Sequence, residues 1–313
     1  MRVALTGGTG FAGAFILPQL QAHGYEVVAL ARKPAVLTGK CGQVIGGDLS
    51  RGDVLAELVK GADVVLHVGG ATSAANRDAF FDVNYAGTKR LYEVARKAGV
   101  KRFVYVSSLE GREPWISDYG ASKNAAEEFL LKQEGYPHVL ILSPPAIYGP
   151  GDKATLPLFK LLQNRVAFMP GQRGARFSLL YVGDFARIVV DAVESKITGR
   201  YELDDLAQGY DWQQLADTSR QLTGVPQRLV HLPKFLVHSV AGAAEFVSRF
   251  SGTTSTMNRQ KIRAIYHDDW VARGDVWPLR NPTQLAEGMA QTLAWYQAQG
   301  LLPQKPIKAT SPA

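Results

Sequence analysis

The chain has 313 residues, 46% of them hydrophobic and 20% charged, a balance that excludes a disordered tail or a fibrous protein. Its single cysteine, Cys41, rules out an internal disulfide framework, and no apolar stretch reaches the roughly 18–20 residues that span a bilayer. The formal charge of +7 lies mainly beyond residue 150 and is scattered; its densest cluster, Arg259-Gln260-Lys261-Ile262-Arg263, is not the long basic run of a nucleic-acid tail.

Short β-branched runs alternate with amphipathic stretches through the first half, the pattern of a parallel sheet with crossover helices. Strands are predicted over 2–6, 26–31, 43–46, 63–67, 102–106 and 138–142, and helices over 11–23, 54–59, 78–98 and 118–133. Gly24, Gly61 and Gly99 stand just past helix ends, where a left-handed residue is wanted. Beyond Pro150-Gly151 the rhythm changes: helices are predicted over 156–165, 184–195, 212–223, 233–248 and 282–299, with a strand near 179–182. The expected fold is α/β, a Rossmann-type doubly wound parallel sheet with a smaller α-rich C-terminal lobe. Residues 1–150 form the expected dinucleotide-binding domain, reclaiming about 178–195, and 151–313 the substrate-binding lobe, with a flexible tail from about 302.

Thr6-Gly7-Gly8-Thr9-Gly10-Phe11-Ala12-Gly13 joins the first strand to the first helix. Glycines at 7, 10 and 13 allow a tight turn, close approach of backbone to a pyrophosphate, and close packing of helix on strand. The helix start, with Thr9, Phe11 and Ala12, then offers unpaired N–H groups to phosphate. At the end of the second strand, Ala31-Arg32-Lys33 stands where a carboxylate would accept from a ribose 2′-hydroxyl. Two cations there suit a 2′-phosphate, so NADP(H) is the expected cofactor and NAD(H) the alternative. Asp48, followed by Leu49, is placed to meet the adenine or to cap the next helix.

Tyr119 and Lys123 lie four residues apart on one predicted helical face, and Ser108 ends the fifth strand. A cation near a phenol stabilises phenolate and brings its pKa toward neutrality, and the serine hydroxyl can hold a substrate oxygen beside it.

With these elements the chain resembles the short-chain dehydrogenase/reductase superfamily, in its extended, NAD-dependent epimerase/dehydratase-like branch. The resemblance rests on the glycine loop, Asp48, His67-Val68-Gly69-Gly70-Ala71, Asn84-Tyr85-Ala86-Gly87-Thr88, Val106-Ser107-Ser108, Tyr119 with Lys123, and Pro144-Pro145-Ala146-Ile147-Tyr148-Gly149-Pro150-Gly151. It implies that Ser108, Tyr119 and Lys123 are catalytic and that Lys123 also holds the nicotinamide ribose. It further implies that Gly69, Gly70, Ala71, Asn84 and Ser107 line the cofactor, and that Pro144, Ala146 and Ile147 flank the nicotinamide. Asp184 is expected to cap a helix.

The departures matter. Ser143 replaces an arginine common before the proline, so no charge is expected there. Tyr119 follows Ser108 by only 11 positions, which implies a wide substrate mouth, and Leu109-Glu110 lacks the aspartate of the Asp-Glu pair in sugar-nucleotide dehydratases. His67 reads as a buried structural histidine, Cys41 as inert, and His267-Asp268-Asp269-Trp270 as an anchor without metal. Trp277, Trp295 and Tyr296 read as core, and Phe168, Met169, Arg173, Arg176 and Phe177 as candidates for lining the substrate lobe.

The function expected is a cytoplasmic NADP(H)-dependent oxidoreductase, moving hydride between nicotinamide and a small-molecule carbonyl or secondary alcohol with Tyr119 as acid/base. A nucleotide-sugar epimerase with tightly bound NAD(P) and a non-catalytic NADP(H) sensor or assembly factor are the alternatives. No nucleic-acid, membrane or metal partner is expected, and the chain is read as a monomer or homodimer.

Overall fold

The structure, a computed structural model, describes residues 1–169, 171–205, 208–232 and 259–308. Its strands are β1 (Arg2–Thr6), β2 (Glu26–Ala31), β3 (Gln43–Gly46), β4 (Val64–His67), β5 (Arg102–Val106), β6 (His138–Ser143), β7 (Ala146–Tyr148), β8 (Val166–Met169), β9 (Arg176–Phe177), β10 (Leu179–Tyr181), β11 (Gly199–Glu202), β12 (Arg228–His231) and β13 (Asp269–Trp270). The chain divides into two compact units. The first holds Met1–Pro144, Phe185–Leu203 and Arg273–Trp277; the second holds Pro145–Asp184, Asp204–Ala272 and Pro278–Ala313.

The first unit is built on a seven-stranded sheet in the order β11-β6-β5-β4-β1-β2-β3, parallel throughout. Continuous burial along β4 and β5 marks strands covered on both faces, as parallel sheets require. The covering helices are α1 (Gly13–Ala22), α2 (Gly52–Val59), α3 (Arg77–Phe81), α4 (Gly87–Lys97) and α5 (Asp118–Leu131). One side of the sheet packs Val28, Leu55, Leu58, Leu91, Tyr92, Phe103, Ala126 and Ile141 into a single core cluster. The chain leaves β1 toward β2 and β3, then returns to place β4 on the other side of β1. The carboxyl ends of β1 and β4 therefore form the topological switch point where ligands of such sheets bind.

Two local features differ from expectation. The seventh strand, β11, is absent from the predicted set because Gly199-Arg200-Tyr201-Glu202 is neither alternating nor strongly apolar. Pairing with β6 overrides its propensity. The predicted helix over 78–98 is interrupted: Asp82–Ala86 forms a π turn between α3 and α4.

The described residues of the second unit add short strand pairs to the predicted helices. Three parallel two-stranded pairs, β7 with β10, β8 with β12 and β9 with β13, lie among α6 (Leu156–Leu161), α8 (Trp212–Thr223) and the helices Arg259–Ile265 and Leu285–Ala298. The predicted strand near 179–182 thus pairs with β7, away from the main sheet, and α7 (Val182–Glu194) enters the first unit at Phe185. The predicted helix over 156–165 stops at Leu161, and β8 takes over at Val166. Helix α8 begins with a reciprocal Asp211–Gln214 capping box and ends at Gly224 in the left-handed region, φ 71°. Asp184 accepts from the Thr283 backbone N–H at 2.7 Å and from its hydroxyl at 2.8 Å. Within the segment expected to fray from 302, residues 302–308 make ordered contacts: Leu302 is buried, the Lys305 carbonyl accepts from Gln297 at 3.0 Å, and Lys308 N–H donates to the Leu222 carbonyl at 2.9 Å. The helix predicted over 233–248 lies outside the described residues.

Candidate active site

At the switch point, backbone touches backbone. Gly7 has φ 82°, and a Cβ there would stand 2.5 Å from the Gly69 nitrogen; a Cβ on Gly13 would stand 2.3 Å from the Gly7 carbonyl oxygen. No side chain fits either place. Gly10 N–H closes the turn on Gly7 O at 3.0 Å, and the N–H groups of Thr9, Phe11 and Ala12 meet no acceptor among the described residues. Free donors at a helix start, with backbone exposed by glycine, form a cradle for anionic oxygens.

The loop after β4 is held from both sides. Thr6 Oγ1 accepts from Gly69 N–H at 3.1 Å and lies 2.6 Å from His67 Nδ1, while His67 Nε2 lies 2.9 Å from Thr88 Oγ1. Thr88 in turn donates to the Asn84 carbonyl at 2.6 Å. These directions assign the tautomer: Thr6 O–H donates to Nδ1, and Nε2–H donates to Thr88. Complete burial pushes the His67 pKa down to about 3, so the ring stays neutral and connects the glycine loop to the π turn. That agrees with its reading as a structural histidine. Asn84, buried in the π turn, accepts from Ala71 N–H at 2.7 Å and donates to Ala71 O and Ser122 Oγ, each at 2.9 Å. Its amide is thus committed to the protein and fixes the Gly70-Ala71 loop. A Cβ on Gly70 would stand 3.6 Å from Lys123 Nζ, which places that loop beside the lysine.

Ser108, Tyr119 and Lys123 converge at the carboxyl end of β5. Ser108 caps a 3₁₀ turn, Leu109–Arg112, accepting from Glu110 N–H at 3.2 Å. That turn lies directly on the start of α5: a Cβ on Gly120 would stand 2.7 Å from the Glu110 carbonyl oxygen. Ser117 caps α5 by accepting from Gly120 N–H at 2.9 Å, and its hydroxyl donates to the Glu110 carboxylate. Glu110 thereby staples the turn to the helix. The result brings the Ser108 hydroxyl into hydrogen-bonding range of the Tyr119 phenol. Lys123, 3% exposed, donates from Nζ to Val106 O at 2.8 Å and lies 4.5 Å from the Tyr105 ring centre.

The electrostatics differ from the expected phenolate. Burial pushes Tyr119 up to about 12, against the lowering effect of the Ser108 hydrogen bond. Burial also brings Lys123 down to about 7, with the Glu127 carboxylate opposing. In both groups desolvation is the largest effect. Tyr119 is a protonated phenol at neutral pH and is poised to donate.

The buried lysine carries a testable stability cost. Between pH 7 and 10.5 the unfolded chain holds a proton on Lys123 that the folded chain lacks, so stability rises with pH across that window. Lys123→Met is expected to raise the thermal midpoint by a few degrees near pH 6.5 and to lose that advantage by about pH 10. Melting curves of the cofactor-free protein at several pH values measure it; an unchanged or lowered midpoint at pH 6.5 contradicts the assigned cost.

Arg32 and Lys33 are exposed after β2 and make no hydrogen bond or ion pair among the described residues. Asp48 does not cap α2, whose N-cap is Arg51; one of its carboxylate oxygens accepts from Ser50 N–H at 2.9 Å and Ser50 Oγ at 2.5 Å. Those bonds, with Arg32 and Arg51 nearby, hold its pKa below the usual range. The Leu49 carbonyl accepts from Arg90 at 2.6 Å, and Ser107 is buried just past β5. Pro144 closes the first unit, its carbonyl accepting from Leu109 N–H at 2.8 Å, whereas Ala146 and Ile147 belong to β7 of the second.

Several lobe candidates are committed to structure. Met169 is buried, Arg176 donates to Gly209 O at 2.9 Å, and the Phe177 ring lies tilted against Trp212 with centres 4.6 Å apart, while Phe168 stays half exposed. His267 lies against Trp270 with ring centres 4.5 Å apart, and Trp270 Nε1 donates to Ala264 O at 2.7 Å, so the segment anchors β13. No group of His, Cys, Asp or Glu suited to a metal occurs among the described residues. No helix among them is long and apolar enough to cross a membrane.

The sequence profile of the NAD dependent epimerase/dehydratase family matches residues 3–203, from β1 through β11. The chain belongs to this family. Among relatives of the epimerase/dehydratase chain is the ceramide reductase of Caulobacter vibrioides (strain NA1000 / CB15N), 34% identical over 307 residues and matched over 96% of each chain. The 3-beta-hydroxysteroid dehydrogenase of Mycolicibacterium neoaurum is 32% identical over 228 residues, 63% of this chain and 62% of that one. In fold, the Thermus thermophilus UDP-glucose 4-epimerase complex with NAD superposes with a TM-score of 0.69 at 22% identity, over 95% of this chain and 99% of that one. The protein is an enzyme of the oxidoreductase type with a nicotinamide-cofactor fold. Its residues fit such a cofactor on geometric grounds: the glycine cradle admits a phosphate that a Cβ would exclude, and the free N–H groups at its rim are the donors a pyrophosphate needs.

Proposed function

We propose that the protein is an NADP(H)-dependent reductase of a small-molecule carbonyl, with Ser108, Tyr119 and Lys123 as its catalytic residues. The observation that carries this reading is the buried, protonated Tyr119 phenol within hydrogen-bonding range of Ser108, with Lys123 behind it. Thr9, Phe11 and Ala12 N–H groups would hold the pyrophosphate between Gly7, Gly10 and Gly13, Arg32 and Lys33 the 2′-phosphate, and Asp48 the adenine. Gly69, Gly70 and Ala71 would face the ribose. The bound nicotinamide supplies the hydride.

The chain handles the proton. Ser108 Oγ donates to the carbonyl oxygen and holds it beside Tyr119. As that oxygen gains negative charge, Tyr119 Oη gives it a proton, and the phenolate left behind is stabilised by the Ser108 hydroxyl and the Lys123 ammonium. At neutral pH Tyr119 carries the proton that reduction consumes.

The relatives named for ceramide and steroid chemistry support an apolar, lipid-like carbonyl as the substrate class. Leu109, standing where sugar-nucleotide dehydratases carry an aspartate, weighs against sugar-nucleotide dehydration. A panel of long-chain oxo-amides, oxo-steroids and nucleotide sugars, followed by NADPH oxidation, tests the reading. Turnover confined to the apolar carbonyls is expected; turnover of nucleotide sugars without net NADPH consumption overturns it in favour of an epimerase.

A further inference from the structure

Beneath the Ser108–Tyr119–Lys123 set runs an alternating line of charges that belongs to no cofactor contact. Arg112, on the turn capped by Ser108, donates from Nη1 to Glu202 Oε2 at 3.1 Å. Glu202 Oε1 lies 3.5 Å from Arg200 Nη2, and Arg200 Nε lies 2.9 Å from Glu127 Oε2. Glu127 stands one helical turn beyond Lys123 on α5, its other oxygen accepting from Ser143 at 3.1 Å. Glu202 also accepts from Arg273 N–H at 2.6 Å. The carboxylates of Glu127 and Glu202 are 3% and 8% exposed. Two buried carboxylates paired to half-buried arginines contribute little net stability against an apolar core of the same shape, which makes their geometry the more telling feature.

The line also explains Ser143. An arginine common at that place in the family is missing, and the sequence alone leaves the position without charge. In the structure a cation arrives from the neighbouring strand. Glu202 is the register partner of Ser143 on β6, Arg200 stands two residues earlier on the same face of β11, and Arg200 Nε reaches within 3.4 Å of Ser143 Oγ. Ser143 is fully buried and small, which lets the guanidinium reach its hydroxyl.

We propose that Arg112, Glu202, Arg200 and Glu127 form a positioning device in which Arg200, carried on β11, replaces the cation absent from β6 and locks the Ser108 turn to the helix segment following Lys123. This rests on the catalytic roles proposed above. Burial raises the Glu127 carboxyl, the Arg200 cation opposes that rise, and the Glu127 charge favours the ammonium form of Lys123. The other titratable groups around the lysine do not replace it: His67 on β4 is neutral, Tyr105 on β5 and Tyr119 on α5 are protonated phenols, and Glu110 is held by Ser117.

Arg200→Gln is expected to lower kcat at least about tenfold while NADPH affinity at pH 7 stays within about threefold, and to move the alkaline limb of kcat down by about one pH unit. Arg200→Lys retains the charge and restores the limb. The transposed variant Ser143→Arg/Arg200→Ser recovers most of the lost rate, because the cation returns from the other strand. Should Arg200→Gln not fold, Glu127→Gln, nearly isosteric, gives the same limb shift. NADPH titrations by fluorescence from pH 6 to 10 provide a readout independent of turnover, with weakening setting in at lower pH in both variants. A uniform loss of rate with both limbs and the binding profile unmoved overturns the proposal. An active Tyr119→Phe enzyme overturns the catalytic reading instead, and leaves the binding profile to judge Arg200 alone.

Discussion

Tyr119→Phe is expected to lower kcat by about 10²–10⁴-fold, with NADPH affinity changed by less than about threefold. The substitution removes one oxygen from a phenol that the surrounding turn and helix hold in place through other contacts. Ser117 still caps α5, Glu110 still staples the 3₁₀ turn, and the Phe80 ring remains 6.1 Å from the aromatic centre. What is lost is the only proposed proton donor. Ser108 can still hold the carbonyl oxygen, but its ordinary hydroxyl is too weak an acid to neutralise a forming alkoxide at comparable rate. Steady-state kinetics with the best carbonyl of the panel, alongside fluorescence titration of NADPH, measures both numbers. A variant that keeps more than about a third of the rate removes Tyr119 from the chemistry.

The second large effect concerns the choice of cofactor. Arg32 and Lys33 stand exposed and outside any ion pair among the described residues at the end of β2, the place from which this sheet type reads the ribose. Paired to a 2′-phosphate they are expected to favour NADPH over NADH by about 10–100-fold in kcat/KM at low salt. Arg32→Asp replaces a forked cation by a carboxylate that repels phosphate and accepts from a 2′-hydroxyl, and is expected to swing the ratio by about 10²–10³-fold toward NADH. Because both side chains are solvated, the wild-type preference shrinks as ionic strength rises past about 0.15 M. Equal kcat/KM for the two cofactors in the wild-type enzyme at low salt contradicts the assignment.

What the sequence made legible is what depends on near neighbours. The parallel sheet through β6 follows from short β-branched runs between helices. The loop from Gly7 to Gly13 is local because four glycines within seven residues dictate one turn. The four-residue step from Tyr119 to Lys123 puts both on one side of α5 whatever lies beyond. What stayed hidden depends on distant partners. β11 exists because β6 offers an open edge, not because Arg200 and Tyr201 favour a strand. The π turn that aims Asn84 at Ala71 is invisible in a pattern of period 3.6. The protonation states followed the same rule. Spacing placed a cation near a phenol, but only the buried setting shows that desolvation raises Tyr119 and lowers Lys123. The charge missing at Ser143 was likewise readable, whereas its replacement by Arg200 was not.

The central claim is that hydride reaches a carbonyl carbon while Tyr119 delivers the proton. Turnover of the best apolar carbonyl with NADPH carrying deuterium at nicotinamide C4, followed by mass spectrometry of the product, tests it most directly. One deuterium on the new carbinol carbon, retained in the product and lost from one face of the cofactor only, is the expected result. A product without that label, or a label returned to the cofactor with the substrate inverted at carbon, contradicts the account.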